Sequence, residues 1–75
     1  MIEDRYAVIL THSTGHSVRA EKVLFMAGIS SKLIPVPRHI SSSCGVCVRI
    51  ERSDSEAALR ALEQARVEIE GIHDV

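Results

Sequence analysis

The chain has 75 residues, of which 45% are hydrophobic and 25% are charged. That length suits one small domain, which we expect to span residues 1–75, and the composition excludes disordered and fibrous proteins. The net charge is −1, and the chain has one Tyr, one Phe and no Trp. We therefore expect no nucleic-acid partner and no membrane partner, because such partners require a basic surface or aromatic stacking platforms.

The first half of the chain predicts a buried strand, a helix and an edge strand. An apolar, β-branched run indicates a strand that is buried on both faces. Ser13 or Thr14 is the expected N-cap of the helix, and Gly28 is its expected stop. Pro35 lacks a backbone N–H and therefore places the next strand at a sheet edge. These elements are expected over residues 6–11, 17–27 and 32–36.

The second half predicts a strand, a helix and a short last strand. Strict alternation of apolar and polar residues indicates the first of these strands. Ser53 and Glu56 have the spacing of a capping box, which predicts a helix start at that point. Alternation then returns and predicts the last strand. These elements are expected over residues 44–52, 53–65 and 67–71.

The resulting order, β-α-β-β-α-β, predicts an α+β fold, a ferredoxin-like βαββαβ sandwich. Short connections and right-handed crossovers favour a four-stranded antiparallel sheet in the order 4-1-3-2, with both helices on one face. This order puts the second strand at an edge, which agrees with the position of Pro35.

Cys44 is the candidate reactive residue. The predicted sheet brings the start of its strand beside the end of the first strand, where the first helix also begins. A helix N-terminus lowers the pKa of a nearby thiol and increases the fraction of nucleophilic thiolate. The neighbouring Gly45 allows a ligand to approach the backbone closely. The alternative is that Cys44 only fills the core, as many free cysteines do.

Other polar residues gather at the same predicted corner. In one interpretation, the side chains at the helix start orient a substrate. In the other, they are helix caps or solvated groups. The connection between the second and third strands is expected to close over the corner. The candidate binding residues are His12, Ser13, Thr14, His16, Arg38, Ser43 and Gly45.

Cys44 and Cys47 form a Cys-x-x-Cys sequence, which also occurs in redox-active dithiols and metal sites. If the third strand starts at Cys44, the two Cα atoms are about 10 Å apart and the side chains point to opposite faces. A disulfide requires Cα atoms within about 7 Å. We therefore expect two free thiols, no metal site and no cofactor, with Cys47 as filler on the helix-free face or at an oligomer contact.

The chain also resembles a known small family along nearly its whole length. The resemblance is carried by Tyr6-Ala-Val-Ile-Leu, His12-Ser-Thr, Arg19-Ala-Glu-Lys-Val-Leu, Ala27-Gly-Ile, Leu33-Ile-Pro-Val-Pro-Arg38, Ser43-Cys-Gly45 with Arg49, and Ile69-Glu-Gly-Ile72. In these segments the chain is similar to the selenium/sulfur carrier protein-like family. The Cys-Pro-x-Pro signature of other sulfur-transfer proteins is absent, because the prolines here precede the cysteine.

The resemblance implies that Cys44 holds sulfur or selenium as a persulfide or selenosulfide and passes it on. The implied partners are a cysteine desulfurase or other chalcogen donor and an acceptor protein, so the chain is an accessory carrier rather than a turnover enzyme. A reducing, cytoplasmic location is expected from the cysteine usage.

Two other functions compete with the carrier. The first is a ferredoxin-like regulatory module that binds a small ligand or anion at the first helix and dimerises through its open sheet face. The second is a metal-binding protein that uses both cysteines and a histidine, which requires both thiols on one side of the sheet.

Overall fold

A computed structural model describes residues 5–40 and 44–75. These described residues form four short strands and two helices. Each helix is followed in the chain by a strand, and a 3-10 turn precedes the second helix. The elements in chain order are β1 (Tyr6–Leu10), α1 (Thr14–Met26), β2 (Ser31–Pro35), β3 (Val46–Glu51), the 3-10 turn (Arg52–Asp54), α2 (Ser55–Gln64) and β4 (Gly71–Asp74).

The four strands form one open antiparallel sheet in the order β2-β3-β1-β4, which becomes β4-β1-β3-β2 when counted from the opposite edge. The α+β class, with four antiparallel strands and two helices, is thereby confirmed. In the register of β1 with β3, Leu10 lies opposite Cys47 and Tyr6 lies opposite Glu51. The end of β1 and the start of β3 therefore lie together, as the sequence predicts.

The helix α1 starts and ends where local sequence signals predict. The Ser13 side chain accepts a hydrogen bond from the backbone N–H of His16 at 3.2 Å, so Ser13 is the N-cap. At the other end Gly28 has φ of +80°. The N–H groups of Gly28 and Ile29 bond to the carbonyls of Phe25 and Leu24, which is the Schellman arrangement. The helix begins at Thr14 rather than at Ser17, three residues earlier than predicted.

The strand β2 lies at the sheet edge, which confirms the prediction from Pro35. The Val36 N–H bonds to the Gly45 carbonyl at 3.1 Å. Because antiparallel residues alternate between bonded and non-bonded pairs, the missing N–H of Pro35 falls at a position that faces the free edge. The edge therefore tolerates proline at no cost in sheet hydrogen bonds.

The predicted last strand over residues 67–71 is wrong, since β4 spans Gly71–Asp74. Val67 instead completes the end of α2, where its N–H bonds to the Leu62 carbonyl at 2.9 Å and the Arg66 N–H bonds to Glu63 at 3.0 Å. Val67 is 7% exposed and packs in the same cluster as Leu62. The apolar side chain of Val67 therefore belongs to a second Schellman turn and not to a strand.

The predicted capping box at Ser53 and Glu56 is also wrong. Residues Arg52–Asp54 form a 3-10 turn, and α2 starts at Ser55 with Asp54 at the N-cap position. The Asp54 side chain makes no capping hydrogen bond. The third strand likewise starts later than predicted, at Val46 rather than at Cys44.

The two faces of the sheet carry different layers. One face packs against both helices in a core cluster of Ala7, Ile9, Ala20, Leu24, Val48, Ile50, Ala58, Leu62 and Val67. The other face, which we call the helix-free face, buries a smaller cluster of Val8, Leu10 and Cys47 under Ile34, Val36, Ile40 and Val75. The strand β1 is therefore buried on both faces, as predicted. None of the described helices has the length and apolar character needed to cross a membrane.

Candidate functional site

Cys44 lies at the N-terminus of α1, in the bend that leads into β3. Its side chain is almost buried, with 6% of the residue exposed. The Sγ atom is 3.8 Å from the Oγ1 of Thr14, the first residue of α1. The thiol therefore lies on the helix side of the sheet, where the alternation in the sequence predicts it.

Two further hydroxyl groups line the thiol. Thr11 directly follows β1, and Ser17 lies on the buried stripe of α1. Both residues are fully buried, and their hydroxyl oxygens are 2.5 Å apart. The Thr11 hydroxyl also lies 2.9 Å from the Ser13 carbonyl, and the Ser17 hydroxyl lies 3.4 Å from the Val46 carbonyl, so each single hydroxyl proton has more than one acceptor within reach. These bonds tie the end of β1, the start of α1 and the start of β3 into one unit.

The surroundings lower the pKa of the Cys44 thiol below its ordinary value. The largest cause is a hydrogen bond from the Val46 backbone, with smaller contributions from the hydroxyls of Thr14, Ser17 and Thr11. Desolvation by burial acts in the opposite direction and is outweighed. Donors directed at the sulfur stabilise the thiolate, which is the nucleophilic form. Cys44 is therefore better ionised at neutral pH than an ordinary cysteine.

Cys47 has the opposite environment. It is fully buried on the helix-free face, in the cluster with Val8 and Leu10. Burial raises the pKa of its thiol, and the charge of Cys44 raises it further. Its Sγ–H is directed at the Pro35 carbonyl at 3.9 Å. Both cysteines are free thiols, and their side chains lie on opposite faces of the sheet.

The two histidines at the helix start face outward and are exposed. His12 Nδ1 is 3.5 Å from the carboxylate of Glu70, and His16 Nδ1 is 2.7 Å from the hydroxyl of Ser13. The ring centroids are 6.3 Å apart and nearly perpendicular. Within residues 5–40 and 44–75, no three His, Cys, Asp or Glu side chains are grouped so that they could hold a metal ion.

Only part of the predicted roof over Cys44 is described, because residues 41–43 lie outside the described part of the chain. Pro37 and Ile40 close a turn through a 3.0 Å backbone bond, and Arg38 is exposed within it. Ile40 packs against the helix-free face, on the side of the sheet opposite to Cys44. Ser43 lies outside the described residues. Gly45 is exposed, and a Cβ atom on it would meet no atom within 4 Å, so there is open space beside Cys44.

The structure thus brings Thr14 and Gly45 next to Cys44, while Ser13 and His16 form the helix cap. Thr11, Ser17 and the Val46 backbone are neighbours of the thiol that the sequence does not predict. One signal could have found Ser17. It occupies a helix position three residues before Ala20, on the stripe that continues to Leu24, so a polar residue stands where the core pattern requires an apolar one.

Comparison with known proteins gives one match. The family model described as "Putative Se/S carrier protein-like" matches residues 6–74, which is nearly the whole chain. No curated protein and no solved structure matches the chain.

Proposed function

Because the chain belongs to the Se/S carrier protein-like family, we propose that Cys44 carries one atom of sulfur or selenium and passes it to an acceptor protein. The observation that carries the proposal is the environment of the Cys44 sulfur. Hydroxyls of Thr11, Thr14 and Ser17 surround it, and the Val46 backbone is the main cause of its lowered pKa.

Loading is a nucleophilic substitution at the outer sulfur of a donor persulfide. The Cys44 thiolate forms a bond to that sulfur, the S–S bond of the donor breaks, and the donor leaves as a thiolate. Cys44 then holds the chalcogen as a persulfide, or as a selenosulfide where selenium is transferred, and the proton of this terminal group passes to the departing donor thiolate, which leaves the anion on Cys44. The reaction exchanges one chalcogen–sulfur bond for another, so it requires no oxidant or reductant.

Unloading is the reverse type of step. A thiolate of the acceptor attacks the outer chalcogen, and Cys44 leaves as a thiolate. A leaving thiol with a low pKa departs faster, so the donors that activate Cys44 for loading also favour release. Gly45 supports both steps, because the space beside it admits the sulfur of a partner without a side chain in the way.

The same groups support the loaded state. The terminal chalcogen carries negative charge, and the N-terminus of α1 presents unpaired N–H groups with a partial positive charge. In this proposal His12, His16 and Arg38 attract an anionic donor to this end of the sheet. Ser43, which precedes the carrier cysteine, contacts the partner, and Cys47 keeps a structural role in the buried cluster.

The partners follow from the chemistry of the cargo. A carrier of this kind receives its chalcogen from a cysteine desulfurase or another donor, and it acts as an accessory rather than as a turnover enzyme. We assign the fold to the ferredoxin-like βαββαβ class, a proposal supported by the element order and by the antiparallel sheet.

The test is intact-protein mass spectrometry after incubation with glutathione persulfide, and separately with a cysteine desulfurase and cysteine or selenocysteine. Wild type and Cys47→Ser should gain the mass of one sulfur or selenium atom, which dithiothreitol removes. Cys44→Ser should gain none. Cys47→Ser is the matched control, because it makes the same atomic change three residues away.

Transfer is tested in a second stage. Loaded wild-type protein is mixed with a thiol acceptor, and the added mass should move from the carrier to the acceptor. An adduct that forms equally on Cys44→Ser, or no adduct on wild type with any donor, would contradict the proposal. The regulatory-module hypothesis would then be the one to pursue.

A further inference from the structure

Two cationic side chains, those of Lys32 and Arg49, are neighbours on the helix-free face. In the strand register, Lys32 lies opposite Arg49, Arg49 lies opposite Val8, and Val8 lies opposite His73. Residues directly opposite in adjacent strands point to the same face. The two cations on β2 and β3 are therefore neighbours on one surface. Like charges in directly opposite positions destabilise a sheet unless a counter-charge compensates them.

The compensation is missing among the described residues. Arg49 lies over the ring of Tyr6, with the guanidinium carbon 4.2 Å from the ring centroid. The nearby Glu51 carboxylate is 3.5 Å from Arg5 and is thus paired already. In residues 5–40 and 44–75, no carboxylate forms an ion pair with Lys32 or Arg49. Among the described residues, Lys32 and Arg49 are therefore two neighbouring cations without an ion-pair partner.

These cations line a cleft of about 250 Å³. Its polar lining consists of Tyr6, Ser30, Ser31, Lys32, Arg49 and Glu51. Arginine presents a planar fork of donors, lysine presents three donors on a point charge, and serine and tyrosine hydroxyls each donate one hydrogen bond. The charged donors of Arg49 and Lys32 suit the oxygens of a phosphate, and the Glu51 carboxylate in the lining is already paired with Arg5.

We propose that this cleft binds a phosphate group. Arg49 and Lys32 provide the charge and the charged hydrogen-bond donors, and the hydroxyls of Tyr6 and Ser30 border the same cleft. The stacking of Arg49 on Tyr6 holds the guanidinium in place before the ligand arrives, which reduces the entropy lost on binding. The ligand also removes the repulsion between Lys32 and Arg49.

The cleft is distinct from the Cys44 site and independent of the carrier proposal. It lies at the start of β1, whereas Cys44 lies beyond its end. Five residues of strand separate the two places, which corresponds to about 16 Å. Its two cations lie on the helix-free face, while Cys44 contacts α1. Failure of one proposal therefore leaves the other untouched.

Tyr6 makes the test direct, because it is the one tyrosine of a chain without tryptophan. Sodium orthophosphate is titrated into the full-length protein at constant ionic strength, with sodium chloride as the balancing salt. Tyrosine fluorescence then reports phosphate binding in the cleft. Amide shifts of β2 and β3 in ¹⁵N–¹H NMR spectra give an independent measurement of the same binding. Saturable binding with both readings is the expected result.

The variants locate the site. Arg49→Gln and Lys32→Gln should each weaken phosphate binding about tenfold or more, because each removes a charged hydrogen-bond donor. Arg60→Gln, on the exposed surface of α2, makes the same change in charge and should bind like wild type. Arg49→Lys keeps the charge but lacks the planar guanidinium group, so it should retain part of the phosphate affinity. Partial retention shows that the weaker binding of Arg49→Gln does not come from misfolding.

The ligands distinguish the sources of the phosphate group. Phosphoserine in place of orthophosphate shows whether the cleft accepts a phosphomonoester, and tighter binding of phosphoserine assigns it to an esterified ligand. Three results would overturn the proposal. These are a linear response without saturation, equal binding by Arg49→Gln and Arg60→Gln, and equal binding of chloride or sulfate.

Discussion

The Oγ1 of Thr14 lies 3.8 Å from the Sγ of Cys44, although 30 positions separate the two residues in the chain. Pairing of β1 with β3 puts the start of β3 beside the end of β1, and α1 begins four residues after β1 ends. The first residue of the helix thereby becomes a neighbour of the cysteine. This contact is one of several that lower the pKa of the Cys44 thiol, after the larger effect of the Val46 backbone.

The first prediction concerns the pH dependence of that thiol. The Thr14 hydroxyl is one of the groups that lower the pKa of Cys44. Thr14→Val should therefore raise this pKa and move the alkylation-rate profile to higher pH. Iodoacetamide rates in a Cys47→Ser background measure the effect. The midpoint of the parent protein should lie below the value of about 8.5 that an unperturbed cysteine shows.

Thr14→Ser is the matched control for this experiment, because it keeps the hydroxyl and removes only a methyl group. Its rate profile should follow that of the parent. If the valine and serine variants have the same midpoint, the hydroxyl does not act on the thiol and the site description is wrong.

The second prediction concerns stability and pH, and it assigns opposite signs to the two cysteines. The folded pKa of Cys44 is lowered. Between that pKa and the unfolded one, the unfolded chain binds a proton that the native protein does not. The contribution of Cys44 to the free energy of unfolding should therefore grow as the pH rises through this window, and it should be lost as the pH falls.

Cys47 should behave in the reverse manner. Its folded pKa is raised, so the native protein keeps a proton that the unfolded chain loses above its own pKa. The contribution of Cys47 should fall as the pH rises through that window. Urea unfolding at a series of alkaline pH values measures both effects as differences between wild type and each Cys→Ser variant. Slopes of the same sign would contradict the assigned environments.

The third prediction compares the two Schellman turns. Gly28 after α1 and Arg66 after α2 both have positive φ, at +80° and +58°. Only glycine adopts this region without steric cost. Arg66→Gly should stabilise the protein by up to about 1 kcal/mol, and Gly28→Ala should destabilise it by about 1 kcal/mol.

The urea midpoints of unfolding measure both changes. The two substitutions can be compared because both act mainly through the backbone. A Cβ atom at position 28 would meet nothing within 4 Å, so the cost of Gly28→Ala is conformational and not a clash. Arg66 is exposed, so its replacement removes little buried surface. A destabilised Arg66→Gly variant would show that its side chain contributes more than the backbone strain costs.

Local signals predicted part of the fold correctly. Ser13, Gly28 and Pro35 act through their own backbone or through bonds within four residues, so their roles can be read from the sequence alone. The same kind of reasoning failed at Val67. An alternating apolar residue fits both a strand and the last turn of a helix, and local sequence contains no information to decide between them.

The candidate site divides in the same way. The sequence by itself identifies Cys44 as a cysteine at the mouth of a predicted strand, and it determines the family. Which groups surround the sulfur was decided by tertiary structure, because Thr11, Ser17 and the Val46 backbone reach it from three different elements. The environment that sets a thiol pKa depends on distances of a few ångströms between such elements, and these distances exist only once the sheet and α1 have packed together.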